Sequence, residues 1–534
     1  MGHNFEEQTQ KLLNGTENAP TQITNGVAPQ PSISFVSSAP VIMTNLPTEN
    51  TPLLSTPVPH VEEGVHCSNE RDCHSTWVIF QEELGILTKY TLPIFATHLF
   101  EFSFNIASVV AIGHISTTAL AAATLAFMTA SVSGYAIVQG LVSALDTLLP
   151  AAWTSSHPQL VGLWSQRMLV VTATIPYGMF PVFMIWFNAE SILLLLRQDP
   201  EVAHLAAVYL RWSSFGTSSI FFQLRFANYR RYFQSQGLFA VPTKIILVVA
   251  PINALLELLW GPESVRIGFI GAPIATSISF NLISISSVIY GIFYVEKTAW
   301  HPISMRSFTG LDCLVKLGLA GVGQTASEWW SWELNNCALG PAALASQSVL
   351  LISSSCTFQA PFALSLATRI GNLLGEKQAR RAGVSAYAAI VLAVAISAIW
   401  STMFISFRQS WAYIVNDDPE VVTLVASVLP VVAMYQVFDG IAAVTSGVLR
   451  AQGKQVSASG YYVIGIPFGV WLTFKMGMGL VGLWVGLTVS LVYCSVWGTY
   501  LCIATDWQKE VKKVSDRLAI ENKNEAEENG SSHL

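Results

Sequence analysis

Apolar residues in this chain run in long blocks, broken only by short polar segments. Twelve such blocks can be read, near 86–112, 119–145, 168–188, 203–224, 241–260, 268–294, 313–337, 343–366, 384–407, 421–447, 457–474 and 480–503. A helix needs about 20 mostly apolar residues to cross a bilayer, and each block comes close to that length. The blocks are apolar throughout rather than alternating. That suits helices, because lipid offers no partner to an open strand edge. The pattern therefore predicts an all-α polytopic membrane protein with twelve transmembrane helices.

Composition sharpens this. Of 534 residues 52% are hydrophobic and 11% charged, where a soluble protein is about one quarter charged. A cytosolic enzyme and a secreted disulfide scaffold are both excluded, and seven cysteines imply no disulfide framework. The net charge of −6 offers no basic surface to nucleic acid. His66, Cys67, Cys73 and His74 cluster but match no zinc spacing. Residues 1–80 hold eight of the 24 prolines and no sustained apolar run, which predicts a disordered cytoplasmic tail. They lack the basic start and apolar core of a signal peptide, so the first membrane helix is expected to direct insertion. Residues 506–534 read as a second solvated tail. Glu49-Asn50-Thr51-Pro52-Leu53-Leu54 resembles an acidic dileucine sorting signal, which favours a vacuolar membrane, with the plasma membrane next.

Loop charge sets the orientation. With the N-terminus in the cytosol, the cytoplasmic loops hold thirteen basic residues, among them Arg167, Arg230, Arg231, Arg369, Arg381 and Arg450. The opposite loops hold four: Arg197, Arg266, Arg408 and Lys475. Positive residues favour the cytoplasmic side, so both termini are expected there.

The two halves of the chain repeat each other. Asp199-Pro200-Glu201-Val202 recurs as Asp418-Pro419-Glu420-Val421, Gln236-Gly237 as Gln452-Gly453, and Pro251 as Pro467, at offsets of 219, 216 and 216. Glu101 falls opposite Glu328 at an offset of 227. Six helices per repeat is an even number, so both repeats enter the membrane the same way, related by an axis along its normal. The expected organisation is two pseudo-symmetric six-helix lobes, 81–300 and 301–505, with the main cavity between or within them. Duplicated helical bundles of this kind belong to transporters.

Acids inside the spans are the candidate chemistry, because ionisable groups in lipid mark ion or substrate paths. A carboxylate away from water can take up a proton, or hold an organic cation when deprotonated, but not both at once. That exclusivity is the core of proton/cation exchange. Glu328-Trp329-Trp330-Ser331-Trp332-Glu333 is the densest feature. Its two acids lie about 140° apart around a helix, each with an aromatic ring four residues away, Trp332 for Glu328 and Trp329 for Glu333. The rings read as cation-facing groups or as packing anchors. Asp439 lies deep in the tenth span; its repeat partner is Gln223, and Glu333 has Ile106. Glu101, with His98 and Asn105 close by, reads as a structural or a transport acid, and Asp146 as a helix-end latch or a transport acid. Glu257 lies near the far end of the fifth span and is expected to snorkel to water. No basic residues in sufficient number are expected at the same depth. Gly321-Val322-Gly323 points to close helix packing. No catalytic triad, metal cluster or phosphate loop is visible, so no enzyme and no cofactor is expected.

Several segments carry a resemblance. Ala144-Leu145-Asp146-Thr147, Gln159-Leu160-Val161-Gly162, Glu328-Trp329-Trp330, Ala367-Thr368-Arg369-Ile370-Gly371-Asn372, Ser446-Gly447-Val448-Leu449-Arg450 and Gly460-Tyr461-Tyr462 through Pro467 are similar to the multidrug and toxic compound extrusion family, in its eukaryotic, fungal-like branch. The resemblance covers roughly 80–505. It implies two six-helix lobes forming a V, with protons or sodium exchanged for drugs and organic cations, and it matches Glu328, Glu333 and Asp439 to the acids of the C-lobe site. Ser108 stands where many prokaryotic members have Asp, which argues against their N-lobe cation site, and Glu101 is a candidate substitute. Ile352 stands where some animal members have an acid. The expected protein is a monomeric, proton-driven antiporter that exports organic cations through the lipid bilayer. The rivals are a lipid or lipid-linked sugar flippase and a non-transporting membrane receptor.

Overall fold

The computed structural model describes residues 76–531, with breaks at 114–116, 179, 196–197, 216–226, 261–267, 337–340, 356–358, 415–417 and 455–464, and for some helical residues, 327–336 among them, it describes the backbone alone. These residues lie in the unit Thr56–Leu534; the other unit, Met1–Ser55, falls outside the described residues. In the first half the helices are α1 (Thr76–Gly113), α2 (Thr117–Ala130), α3 (Ala136–Val142), α4 (Ala144–Trp153), α5 (Leu160–Gly178), α6 (Phe180–Phe187), α7 (Ala189–Leu195), α8 (Pro200–Phe215), α9 (described over 227–235), α10 (Ala240–Trp260) and α11 (Gly271–Phe293). The second half continues with α12 (Leu311–Asn336), α13 (Pro341–Ser355), α14 (Gln359–Gly375), α15 (Ala379–Ser406), α16 (Pro419–Ala451), α17 (Ile466–Val470), α18 (Gly479–Ile503) and α19 (Trp507–Ser531). No strand occurs among the described residues. Six helical stretches are long and apolar enough to cross a membrane: Thr118–Trp153, Ala240–Leu259, Gly271–Phe293, Ala379–Ser406, Pro419–Ala451 and Gly479–Ile503. Each of the twelve expected spans contains described helix. The chain is an all-α polytopic membrane protein.

Local chemistry accounts for the helix starts. Asp199 Oδ1 accepts from the backbone N–H of Glu201 at 2.9 Å, and Asp418 Oδ1 from that of Glu420, also at 2.9 Å. In both, proline takes the first helical turn, where its missing N–H costs nothing. The repeated Gln-Gly pairs also share a backbone: Gly237 has φ +77° and Gly453 φ +72°, a conformation that side-chain-bearing residues rarely adopt.

Four expected boundaries move, three of them where a charge is satisfied by protein rather than by water. The second span continues past 145 to Trp153, through a π turn at Ser131–Tyr135, since Asp146 is paired rather than hydrated. The third begins at Leu160 rather than 168. Arg167 is buried there, with its guanidinium 4.5 Å from the Trp164 ring and bonded to Glu521 at 3.1 Å. The segment 506–534 is not a solvated tail: α19 buries Val514 and Glu510, and pairs Glu510 with Lys454 at 2.8 Å. At the other end, α1 starts at Thr76, inside the expected tail.

Small residues set the closest helix approach. A Cβ on Gly140 would fall into the backbone of Val322, and one on Gly318 would sit 2.8 Å from the Leu141 side chain. Thus α3 and α12 touch backbone to backbone, as the glycines of Gly321-Val322-Gly323 suggested. In the second half α16 packs against α14, α15 and α18. In the first half α1 packs against α10 and α11, and it also meets α14 and α15.

The α1 contact with α14 and α15 is an ion cluster. Glu83 is 0% exposed and takes both Nε (2.9 Å) and Nη2 (2.7 Å) of Arg369, while Arg381 Nε binds the same carboxylate. Burial by itself would push the Glu83 carboxyl up. Arg369 and then Arg381 outweigh it and hold the group below the usual carboxylate range. Removing the acid strands a nearly buried guanidinium. Glu83→Gln is therefore expected to destabilise the protein by about 3–5 kcal/mol in denaturant titrations in detergent. Because the folded pKa is depressed, the wild-type advantage over Glu83→Gln should be complete above the ordinary carboxylate range and vanish as pH falls through the folded value.

Candidate functional site

A polar cluster forms where α1, α10 and α11 meet. Asn253 and Glu257 are one turn apart on α10, so they share a face, as do Thr276 and Ser279 on α11. Glu257 Oε1 accepts hydrogen bonds from Ser108 Oγ at 2.7 Å, Asn253 Nδ2 at 3.1 Å and Thr276 Oγ1 at 3.5 Å. Ser279 Oγ in turn donates to Asn253 Oδ1 at 2.8 Å. Glu257 is 3% exposed, and Asn253 and Ser279 are 0% exposed. The second oxygen, Oε2, is buried with no hydrogen-bond partner among the described residues. One helical turn away, Phe104, Val249 and Ile283 lie buried in the apolar cluster between the same helices. Nothing basic pairs with Glu257 among the described residues. A buried carboxyl with one oxygen saturated and the other unpartnered carries a desolvation cost that one positive charge would offset.

Glu257 was expected to snorkel to water, and the structure corrects this. Its carboxyl turns inward because Ser108, Asn253 and Thr276 supply the donors water would have supplied. Ser108, read as standing where other members have an acid, gives its hydroxyl to an acid from another helix. The signal was present in the sequence as an amide and a carboxylate four residues apart inside an apolar span.

The other candidate acids separate by their partners. Glu101 is held by Arg230 on α9, at 3.0 Å; the side chain of Asn105 lies outside the described part of the structure. Asp146 is held by Arg231 at 2.7 Å and by Arg450 of α16 at 3.4 Å, and Thr147 Oγ1 donates to the Arg450 carbonyl. Arg230 and Arg231 were read as loop residues, yet both are buried. Basic partners at depth therefore exist, and they neutralise these two acids. Asp439 is half-buried on α16; the adjoining Gly440 presses against Ser397 of α15, whose Oγ occupies the space a Cβ would take. The backbone of Glu328, Trp329, Trp332 and Glu333 is helical in α12, and their side chains lie outside the described part of the structure, as does Gln223. His66, Cys67, Cys73 and His74 also lie outside the described residues, and no metal-ligating cluster occurs among those described.

An all-helical membrane body with an inward-facing acid in its first half has the architecture of a transporter. The MatE family profile matches residues 93–259 and 335–474. The chain is 34% identical over 464 residues to an uncharacterized transporter of Schizosaccharomyces pombe, covering 85% of this chain and 84% of that one. It is 29% identical to human multidrug and toxin extrusion protein 1 over 80% of this chain and 76% of that one. The crystal structure of the eukaryotic MATE transporter AtDTX14 superposes with a TM-score of 0.77 at 26% identity, covering 82% of this chain and 99% of that one. The chain belongs to the MatE family. That family consists of membrane transporters, not enzymes.

The Glu101–Arg230 pair is assigned a structural role. Glu101→Gln is expected to destabilise by about 3–5 kcal/mol, because Arg230 stays buried without its acid. The double variant Glu101→Gln/Arg230→Gln should recover much of that loss, with a coupling energy of about 1 kcal/mol or more in a double-mutant cycle read by denaturant titration.

Proposed function

We propose that the protein is a proton-coupled antiporter that exports organic cations and amphipathic xenobiotics from the cytosol. The observation that carries this reading is Glu257, buried and lacking a basic partner, with one carboxyl oxygen open. The relatives named for multidrug and toxin extrusion supply the substrate class. Glu257 holds a proton when its cavity faces the acidic side and releases it when the cavity faces the cytosol. Glu328, Glu333 and Asp439 form the second acid set, in the other half of the chain, where a proton and a cationic cargo exclude each other. The basic face bearing Arg167, Arg369 and Arg450 is cytosolic, and the vacuolar membrane is the favoured location.

Uptake of labelled tetraethylammonium into proteoliposomes, with and without a pH gradient, tests the proposal. Glu257→Gln cannot release a proton, so gradient-driven uptake is expected to fall to the level of empty vesicles while the protein remains folded. Glu328→Gln is expected to do the same. Wild-type gradient-driven rates in Glu257→Gln would remove that acid from the mechanism, and gradient-independent uptake by the wild type would remove proton coupling altogether.

A further inference from the structure

We infer that Ser279 is a positioning residue for Glu257: its hydroxyl holds the Asn253 amide with the nitrogen toward the carboxylate. The inference rests on the reading of Glu257 as the proton site. The Asn253 side chain has two unlike ends, a carbonyl that only accepts and an NH2 that only donates. One end faces Glu257 Oε1 at 3.1 Å, and the other faces Ser279 Oγ at 2.8 Å. Which end faces the acid decides what the acid meets. An ionised carboxylate needs the NH2; a protonated carboxyl needs an acceptor for its O–H.

Ser279 can satisfy either arrangement. Its Oγ lies 2.8 Å from Asn253 Oδ1 and 2.9 Å from the carbonyl of Ala275, one turn back on its own helix. A serine needing only a partner for its hydroxyl would be served by that carbonyl alone. With its proton on Asn253 Oδ1, the amide nitrogen is directed at Glu257. With the proton turned to Ala275, a lone pair faces the amide, which can then rotate so that NH2 meets Ser279 and the carbonyl meets a protonated Glu257. The chain Glu257–Asn253–Ser279 thus keeps its contacts in both charge states by reversing direction. It joins α10 to α11, so the charge on Glu257 is reported to the neighbouring helix by a hydroxyl rotation.

Among the described residues, few other ionisable groups reach the cluster. On α1, Glu101 and His98 are seven and ten residues from Ser108, about 10 and 15 Å along the helix, and Glu101 is tied to Arg230. Lys244 on α10 is 13 residues from Glu257. On α11 the titratable residue is Tyr290, 14 residues from Thr276. The Tyr209 phenol on α8, which packs against α11, is the group coupled electrostatically to Glu257.

The test is the pH profile of tetraethylammonium uptake by the full chain in proteoliposomes, each variant normalised to its own maximum. Ser279→Ala frees the amide to present its carbonyl, so Glu257 keeps its proton to higher pH. The profile should shift upward by about half to one pH unit, and Ser279→Thr should restore it. A second readout does not depend on transport: the infrared carboxyl band that Glu257→Gln removes, titrated in detergent, should shift by the same amount in Ser279→Ala. An equal loss at every pH with an unmoved carboxyl titration would overturn the role of Ser279 and leave Glu257 standing. An unchanged pH profile in Glu257→Gln would instead overturn the proton-site reading, and this inference with it.

Discussion

A charge inside hydrocarbon must be matched, and most of this structure can be understood from how its acids meet that demand. Glu83, Glu101 and Asp146 each meet an arginine, and the arginine comes from a helix distant in sequence. Pairing of this kind ties helices together and gives each of these three carboxylates a guanidinium partner. Glu257 meets only neutral donors. Its Oε2 is buried with no hydrogen-bond partner among the described residues, a requirement that one positive charge would satisfy.

The matched acids also explain why the basic face holds together. Asp146 sits between Arg231 of the first half of the chain and Arg450 of the second, and Glu83 at the start of α1 gathers Arg369 and Arg381 from α14 and α15. Further polar ties lie nearby: Thr91 and Ser365 share a hydroxyl contact at 2.8 Å, and Thr154 Oγ1 donates to the carbonyl of Asn372 at 2.8 Å. Apart from Asp146–Arg231, these ties join the two halves at their arginine-rich helix ends. If the proposed transport cycle holds, this is the face that is shut while Glu257 is served from the other side, and opening it requires these pairs to separate.

The fold was legible because it follows from one-dimensional quantities. Apolar run length located helices in all twelve expected spans, and the Asp-Pro-Glu and Gln-Gly repeats read as a duplication share caps and turns in the structure. The site was less legible, because charge matching is three-dimensional. Arg230 and Arg231 looked like loop residues until α9 placed them against Glu101 and Asp146. Ser108 looked like a lost acid until Glu257, 149 residues away, was seen to share its hydroxyl. Span ends were misjudged for the same reason: Arg167 read as a loop charge and Asp146 as the end of its span, and each is satisfied by protein.

The buried Arg167 has a consequence for how the chain is made. Its acid partner, Glu521, comes 354 residues later, on the last described helix. Besides the Trp164 ring, the Arg306 carbonyl and the Thr309 hydroxyl offer the guanidinium only neutral acceptors. A polypeptide cut short before α19 would insert its spans and still carry an unneutralised cation at the root of the third.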